Sequence, residues 1–210
     1  MGALTFFLIA GEPSGDKLGA ALMAGLRQLH PAVTFSGIGG PLMQAQGMTS
    51  QFPMEELSVM GLAEVLPKYF PLKRRIAQAA EAAVAAKPAA LITIDSPDFC
   101  LRVAKLVKAA QPDLRTIHYV APSVWAWRPK RAAKMAGGID HVLALLPFEP
   151  AYMTAVGMTC DFVGHPVVAE ALASVAEREA FAQTQRPMIL CLPGSRKSKS
   201  PAWPRSLGKR

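Results

Sequence analysis

Short apolar runs alternate along this chain with longer stretches in which apolar residues recur every three or four positions. The runs at 4–10, 33–38, 89–94, 116–120, 141–146, 160–163 and 188–192 read as strands. Between them, 17–29 puts Leu18, Leu22, Leu26 and Leu29 on one helical face, and 101–110 does the same with Val103, Leu106, Val107 and Ala110. The Ala-rich stretch 73–86 is helix-prone. Pro129 suits a first helical turn, and Gly137-Gly138 would end that helix. Near-continuous apolar strands alternating with helices predict an α/β fold: a Rossmann-like, doubly wound parallel sheet. Ligands of such sheets sit beyond the carboxyl ends of the strands, so the residues just after each strand carry most functional weight.

Phe162-Val163-Gly164-His165-Pro166 reads as a boundary closing one α/β domain over 1–166. A helical stretch over 167–183, the strand at 188–192 and the turn Pro193-Gly194-Ser195-Arg196 read as a connection over 167–196 that opens a second α/β unit. Residues 197–210 have no usable periodicity, two prolines and five cations, and no regular structure is expected there.

Composition narrows the picture. Of 210 residues, 51% are hydrophobic and 18% charged, which excludes wholesale disorder. No apolar run approaches the roughly 20 residues that span a bilayer. No basic region precedes the first run, so no signal peptide is expected, while contact with a membrane surface stays open. Cys100, Cys160 and Cys191 are far apart and form no Cys-x-x-Cys pair, which favours buried thiols in a reducing compartment over a zinc ribbon. Five of the eight excess positive charges lie in 197–210, leaving the body at only +3. The basic balance therefore does not argue for nucleic acid as a partner.

Four strand ends carry candidate chemistry. Gly11-Glu12-Pro13-Ser14-Gly15-Asp16 permits a tight turn and close backbone approach to a ligand at a helix start, or is a plain β–α turn capped by Ser14 or Asp16. Gly37-Ile38-Gly39-Gly40-Pro41 offers the same alternatives. Asp95 ends the third strand, where a carboxylate can accept a proton from a hydroxyl, and Asp98 reads as the next helix's N-cap. In the 121–131 segment Trp125 and Trp127 crowd beside Arg128, Lys130 and Arg131, as a stacking surface for a sugar or acyl group or as a packed loop. His118 reads as a satisfied core histidine. Over 66–76, Leu66, Tyr69, Phe70 and Leu72 interleave with Lys68, Lys73, Arg74 and Arg75, either as an interfacial patch for anionic headgroups or as a buried segment with a solvated edge.

In order, AGEPSGD (10–16), GIGGPLM (37–43), MEELSVMG (54–61), IDSPDF (94–99), HYVAPSVWAWR (118–128), LLPFE (145–149), FVGHP (162–166) and LPGSR (192–196) resemble the lipid-A-disaccharide synthase family of bacterial glycosyltransferases. The resemblance implies a two-domain GT-B architecture in which 1–166 is the acceptor-side domain and the donor-side domain is largely missing. It implies inverting transfer of 2,3-diacylglucosamine from UDP-2,3-diacylglucosamine to 2,3-diacylglucosamine 1-phosphate, with no metal or other cofactor. It places Asp95 at the family's base position. Gly11, Glu12, Ser14, Gly15 and Asp16, with Ser123, Trp125 and Arg128, fall on the acceptor side, and Gly194, Ser195 and Arg196 on the donor side. Because both substrates carry acyl chains, it raises the standing of Tyr69, Phe70, Lys73, Arg74 and Arg75 as membrane or acyl contacts. The implied setting is cytoplasmic, peripheral on the inner face of the inner membrane, with a possible homodimer in full-length members. Family members are about twice as long, and the basic finish after Arg196 reads as a frameshift or truncation. The expectation is that this chain by itself folds its first domain, leaves the 188–192 strand without a sheet, and turns over negligibly.

Overall fold

The computed structural model describes residues 4–57, 62–126 and 130–182, and over 62–69 the backbone alone. Six strands, β1 (Thr5–Ala10), β2 (Thr34–Ile38), β3 (Ala90–Ile94), β4 (Arg115–Tyr119), β5 (His141–Ala144) and β6 (Thr159–Phe162), pair in parallel in the order β2-β1-β3-β4-β5-β6. Helices α1 (Pro13–Leu29), α2 (Pro41–Ala45), α3 (Leu62–Ala85), α4 (Pro97–Ala110), α5 (Lys130–Met135) and α6 (Glu149–Thr154) occupy the connections, and a 3-10 turn spans Met54–Leu57. This is the doubly wound α/β arrangement that the alternation implied. The chain divides after Pro166 into two units. No helix among the described residues is long and apolar enough to cross a membrane.

Parallel strands covered on both faces bury every residue, so their apolar runs are continuous. β3, in the sheet's interior, is buried throughout. Alternate residues feed two cores. Phe7, Ile9, Leu91 and Val142 pack against Ala79 and Ala83 of α3, Phe99, Val103 and Val107 of α4, and Met135 of α5. Leu8, Ala10, Ile92 and Ile94 pack on the other face with Leu18 and Met23 of α1 and a group of methionines, Met43, Met48 and Met54, around α2. Cys100 is a buried free thiol whose pKa burial pushes up, and burial raises the half-buried thiol of Cys160 to about 11.

Several helices differ from their sequence reading. α1 and α4 each begin at the proline that directly follows the strand-end turn, four residues before their apolar stripes become visible. α3 begins eleven residues before the predicted 73, running through Pro67 and Pro71, which the usual penalty on interior proline argued against. The buried faces agree in part, with Leu18, Val103 and Val107 buried as expected. Leu29 is 83% exposed and Leu106 is 45% exposed, while Gly15, Gly19 and Met23 of α1 and Cys100 and Ala104 of α4 face inward. In the second unit, the predicted helix over 167–183 is instead a 3-10 turn over Pro166–Ala169 and α7 (Val175–Ala182). A capping box starts α7: the Ser174 N–H donates to Glu177 Oε2 at 2.7 Å and the Glu177 N–H donates to Ser174 Oγ at 3.2 Å. The predicted strand at 188–192 lies outside the described residues.

Two buried polar groups fix the sheet's surroundings. Asp16, 3% exposed, accepts from the N–H groups of Gly40 at 2.9 Å, Leu42 at 2.9 Å and Met43 at 3.0 Å. It therefore caps α2, not its own helix. α1 starts instead at Glu12, with no side-chain cap. Gly40 has to be glycine for this, because a Cβ there would stand 2.5 Å from Asp16 Oδ2. His118 is fully buried, and its Nδ1 lies 2.8 Å from Thr93 Oγ1, but its Nε2 has no partner among the described residues. It is thus only half satisfied, contrary to the sequence reading. Burial first, then the nearby Arg131 charge, lowers its pKa to about 4.

Asp16→Ala would leave three amide donors unpaired and is expected to cost roughly 2–4 kcal/mol, read as a lower denaturation midpoint. His118 stays neutral in the folded chain to about pH 4, whereas the unfolded chain takes up its proton near 6.5. Stability is accordingly expected to fall as pH drops from 6.5 to 4, by roughly 3 kcal/mol from this group. His118→Gln should flatten that part of a pH series of urea melts.

Candidate functional site

The connection from β1 to β2 runs to one side of the sheet and that from β2 to β3 returns to the other, so the winding reverses between β1 and β3. Doubly wound sheets bind their ligands beyond the strand ends at such a reversal. Gly11–Ser14 leaves the end of β1, and Asp95-Ser96 leaves the adjoining end of β3, whose last residue Ile94 pairs with Ala10.

Here the backbone is strained. Asp95 has φ +52° and Ser96 φ +44°, and at the end of β4 Val120 has φ +84°. Two consecutive non-glycine residues in the left-handed region, and a β-branched one nearby, are costly and persist only where neighbours hold them. The ladder does so. The Asp95 N–H donates to the Tyr119 carbonyl at 3.0 Å and the Val120 N–H to the Leu143 carbonyl at 3.0 Å, each one residue past its strand. The chain stays pinned to the sheet while it turns.

Ser14 Oγ donates to Asp95 Oδ2 at 3.2 Å, so the first and third strand ends meet through their side chains. Asp95 is half-buried, Ser14 exposed and Glu12 half-buried. Close packing underlies this. A Cβ on Gly11 would lie 2.7 Å from Ser96 Oγ, and one on Gly15 would lie 3.2 Å from the Ile94 carbonyl. The Ser96 hydroxyl is buried without a partner among the described residues and does not cap α4, because its left-handed backbone turns the side chain toward Gly11. The N-terminal amides of α1 and their positive dipole end lie at the same edge.

Farther along the edge, Trp125 and Phe148 meet edge to face at 5.2 Å and 86°, each more than two-fifths exposed. Phe148 is held by the turn behind β5, in which the N–H groups of Leu145 and Leu146 donate to the buried Glu149 carboxylate at 3.1 and 3.0 Å.

Thus Gly11, Ser14, Gly15 and Asp95 come together, with Glu12 beside them. Asp16 belongs to the neighbouring loop, where its carboxylate is engaged by backbone amides. Ser123 and Trp125 are exposed in the loop after β4. Arg128, Gly194, Ser195 and Arg196 lie outside the described residues, as does the side chain of Tyr69. On α3, Phe70 is 79% exposed and Lys73 and Arg74 are exposed. Arg75 is occupied within the protein: it forms a two-pronged ion pair with Glu56 at 2.7 and 2.9 Å and lies 4.4 Å over the Phe52 ring. That pairing, chiefly the hydrogen bond, holds the Glu56 carboxyl below its usual range. Asp98 pairs with Arg131 at 2.9 Å. Sequence reasoning passed over Ser96, Phe148 and Glu149. Only Glu149 left a signal, as an acid at the start of a helix.

A Rossmann-like sheet whose reversal point gathers a carboxylate, a hydroxyl and a helix N-terminus defines a doubly wound α/β domain with its candidate site at the strand ends. Comparison with known proteins makes this particular. The profile of the lipid-A-disaccharide synthetase family matches residues 6–201, a few residues past Arg196. The lipid-A-disaccharide synthase of Ruegeria pomeroyi is 64% identical over 197 residues, covering 92% of this chain and 49% of the relative. Those of Rhodospirillum centenum and Pseudomonas fluorescens are 50% and 47% identical, covering 95% and 93% of this chain. The chain belongs to the lipid-A-disaccharide synthetase family, and it spans about half the length of the curated relatives it matches.

Gly11→Ala is expected to destabilise the fold by about 1–3 kcal/mol, because the new methyl meets Ser96. Ser96→Gly should recover most of that loss, by removing the clash and relieving the positive φ. A double-mutant cycle of urea melts reads the coupling, and additivity of the two changes would refute the contact.

Proposed function

We propose that residues 1–166 form the acceptor side of an inverting glycosyltransferase that joins two acylated glucosamines in lipid A synthesis. The substrates are UDP-2,3-diacylglucosamine as donor and 2,3-diacylglucosamine 1-phosphate as acceptor. The reading rests on the names of the relatives and on one geometric observation, the Asp95 carboxylate held at the β1/β3 reversal 3.2 Å from Ser14.

The chemistry follows from that placement. Ser14 engages Oδ2, so Oδ1 is the oxygen available to an entering sugar hydroxyl. As the 6-oxygen attacks the donor's anomeric carbon, its proton passes to Asp95. The bond from that carbon to the UDP oxygen breaks, its electron pair leaves with UDP, and the configuration inverts. The negative charge on the leaving UDP calls for amides and a guanidinium. Gly194, Ser195 and Arg196 are the residues of this chain proposed for that task.

The acyl chains require an apolar route to the site. Exposed Phe70, flanked on α3 by exposed Lys73 and Arg74, suits the headgroup layer of an anionic membrane. We place the protein on the inner face of the inner membrane on this basis. Trp125 and Phe148 offer a second apolar surface farther along the same edge of the sheet.

In a full-length enzyme built by joining residues 1–166 of this chain to the remainder of the Ruegeria pomeroyi relative, Asp95→Asn is expected to lower kcat by about 10²–10⁴-fold with little change in the acceptor KM. Undiminished coupling would overturn the assignment. The 210-residue chain purified by itself is expected to form no disaccharide, and robust product formation would refute its restriction to the acceptor side.

A further inference from the structure

Helices α4 and α5 pack on the same face of the sheet through Phe99, Val103, Ala132 and Met135. Between their outer flanks runs a groove of about 960 Å³, floored by Leu101 and walled by Arg102, Lys105, Lys130, Arg131 and Lys134 against the single carboxylate of Asp98. A smaller hollow of about 120 Å³ adjoins it past Lys105 and Lys134. Asp98 is already engaged with Arg131 at 2.9 Å. The other four cations form no ion pair among the described residues. Arg102 and Lys105 stand three apart on one helix and Lys130 and Lys134 four apart on the other, spacings at which like charges oppose helix formation. A multiply charged anion in the groove would reverse that repulsion. A guanidinium fork beside several ammonium groups matches tetrahedral phosphate. The volume exceeds what a bare phosphate fills, and Leu101 with the methylene stems of the cations offers an apolar bed for the remainder of a ligand.

We propose that the α4–α5 groove is a phosphate-binding site that takes a phosphomonoester, whether free in solution or as the headgroup of a lipid. The proposal does not depend on the reaction described above, since it uses neither Asp95 nor the β1/β3 reversal. The test titrates the full 210-residue chain in two arms, inorganic phosphate by calorimetry and phosphatidylcholine vesicles containing phosphatidate by co-sedimentation. R102A/K105A/K134A is expected to weaken binding by at least about ten-fold, and Asp98→Asn to strengthen it about three-fold by removing a repulsive carboxylate. Binding in the phosphate arm supports a soluble ligand, and binding in the vesicle arm alone that K73A/R74A on α3 retains and the triple variant loses supports a lipid headgroup. The proposal is overturned if neither arm shows binding, if the triple variant binds as the parent does, or if the phosphate arm is silent and K73A/R74A abolishes vesicle binding as fully as the triple variant. Should the triple variant fail to fold by circular dichroism, failure of Asp98→Asn to tighten binding overturns it equally.

Discussion

Everything that positions chemistry here depends on one geometric constraint: all strands run the same way, and the winding reverses once, between β1 and β3. Parallel strands deliver their carboxyl ends to one edge. The two adjoining loops come together at the reversal. A carboxylate and a hydroxyl from residues 81 apart meet there. The left-handed backbone at Asp95 and Ser96 is a local cost of that arrangement, met by ladder hydrogen bonds that continue one residue beyond the strands.

The second loop is held by a different device. The Asp16 carboxylate gathers three amides at the start of α2, so the glycine-rich turn after β2 is docked against α1. A polar side chain is buried here, and the cost is offset by the three backbone amides it accepts from. An acid in the AGEPSGD segment thus acts on the neighbouring loop, while Ser14, two residues earlier, acts on Asp95.

Much of this was legible in the sequence. The strands fall within two residues of the apolar runs, because a strand buried on both faces announces itself by continuous apolarity. Their carboxyl ends pointed to Gly11, Ser14 and Asp95. Helix starts were less legible, since a helix that opens at a proline after a turn shows no periodicity until its second turn. Face assignments by spacing were right for Leu18, Val103 and Val107 and wrong for Leu29 and Leu106. The sheet also accepted small and sulfur-bearing residues that allow close approach, such as Gly19, Cys100 and Ala104. Partners distant in sequence left no local trace: Asp16 with the 40–43 amides, Arg75 with Glu56, and His118 with Thr93.

The methionines grouped around α2 have a chemical consequence. Met43, Met48 and Met54 are almost wholly shielded from solvent beneath the glycine-rich turn, and their soft, unbranched thioethers fill an irregular gap that a stiffer residue would not. Sulfoxide formation would set a polar, chiral sulfur into that packing. Because oxidants reach these atoms only when the turn lifts, peroxide sensitivity at this place in the molecule would track how often the docked loop breathes.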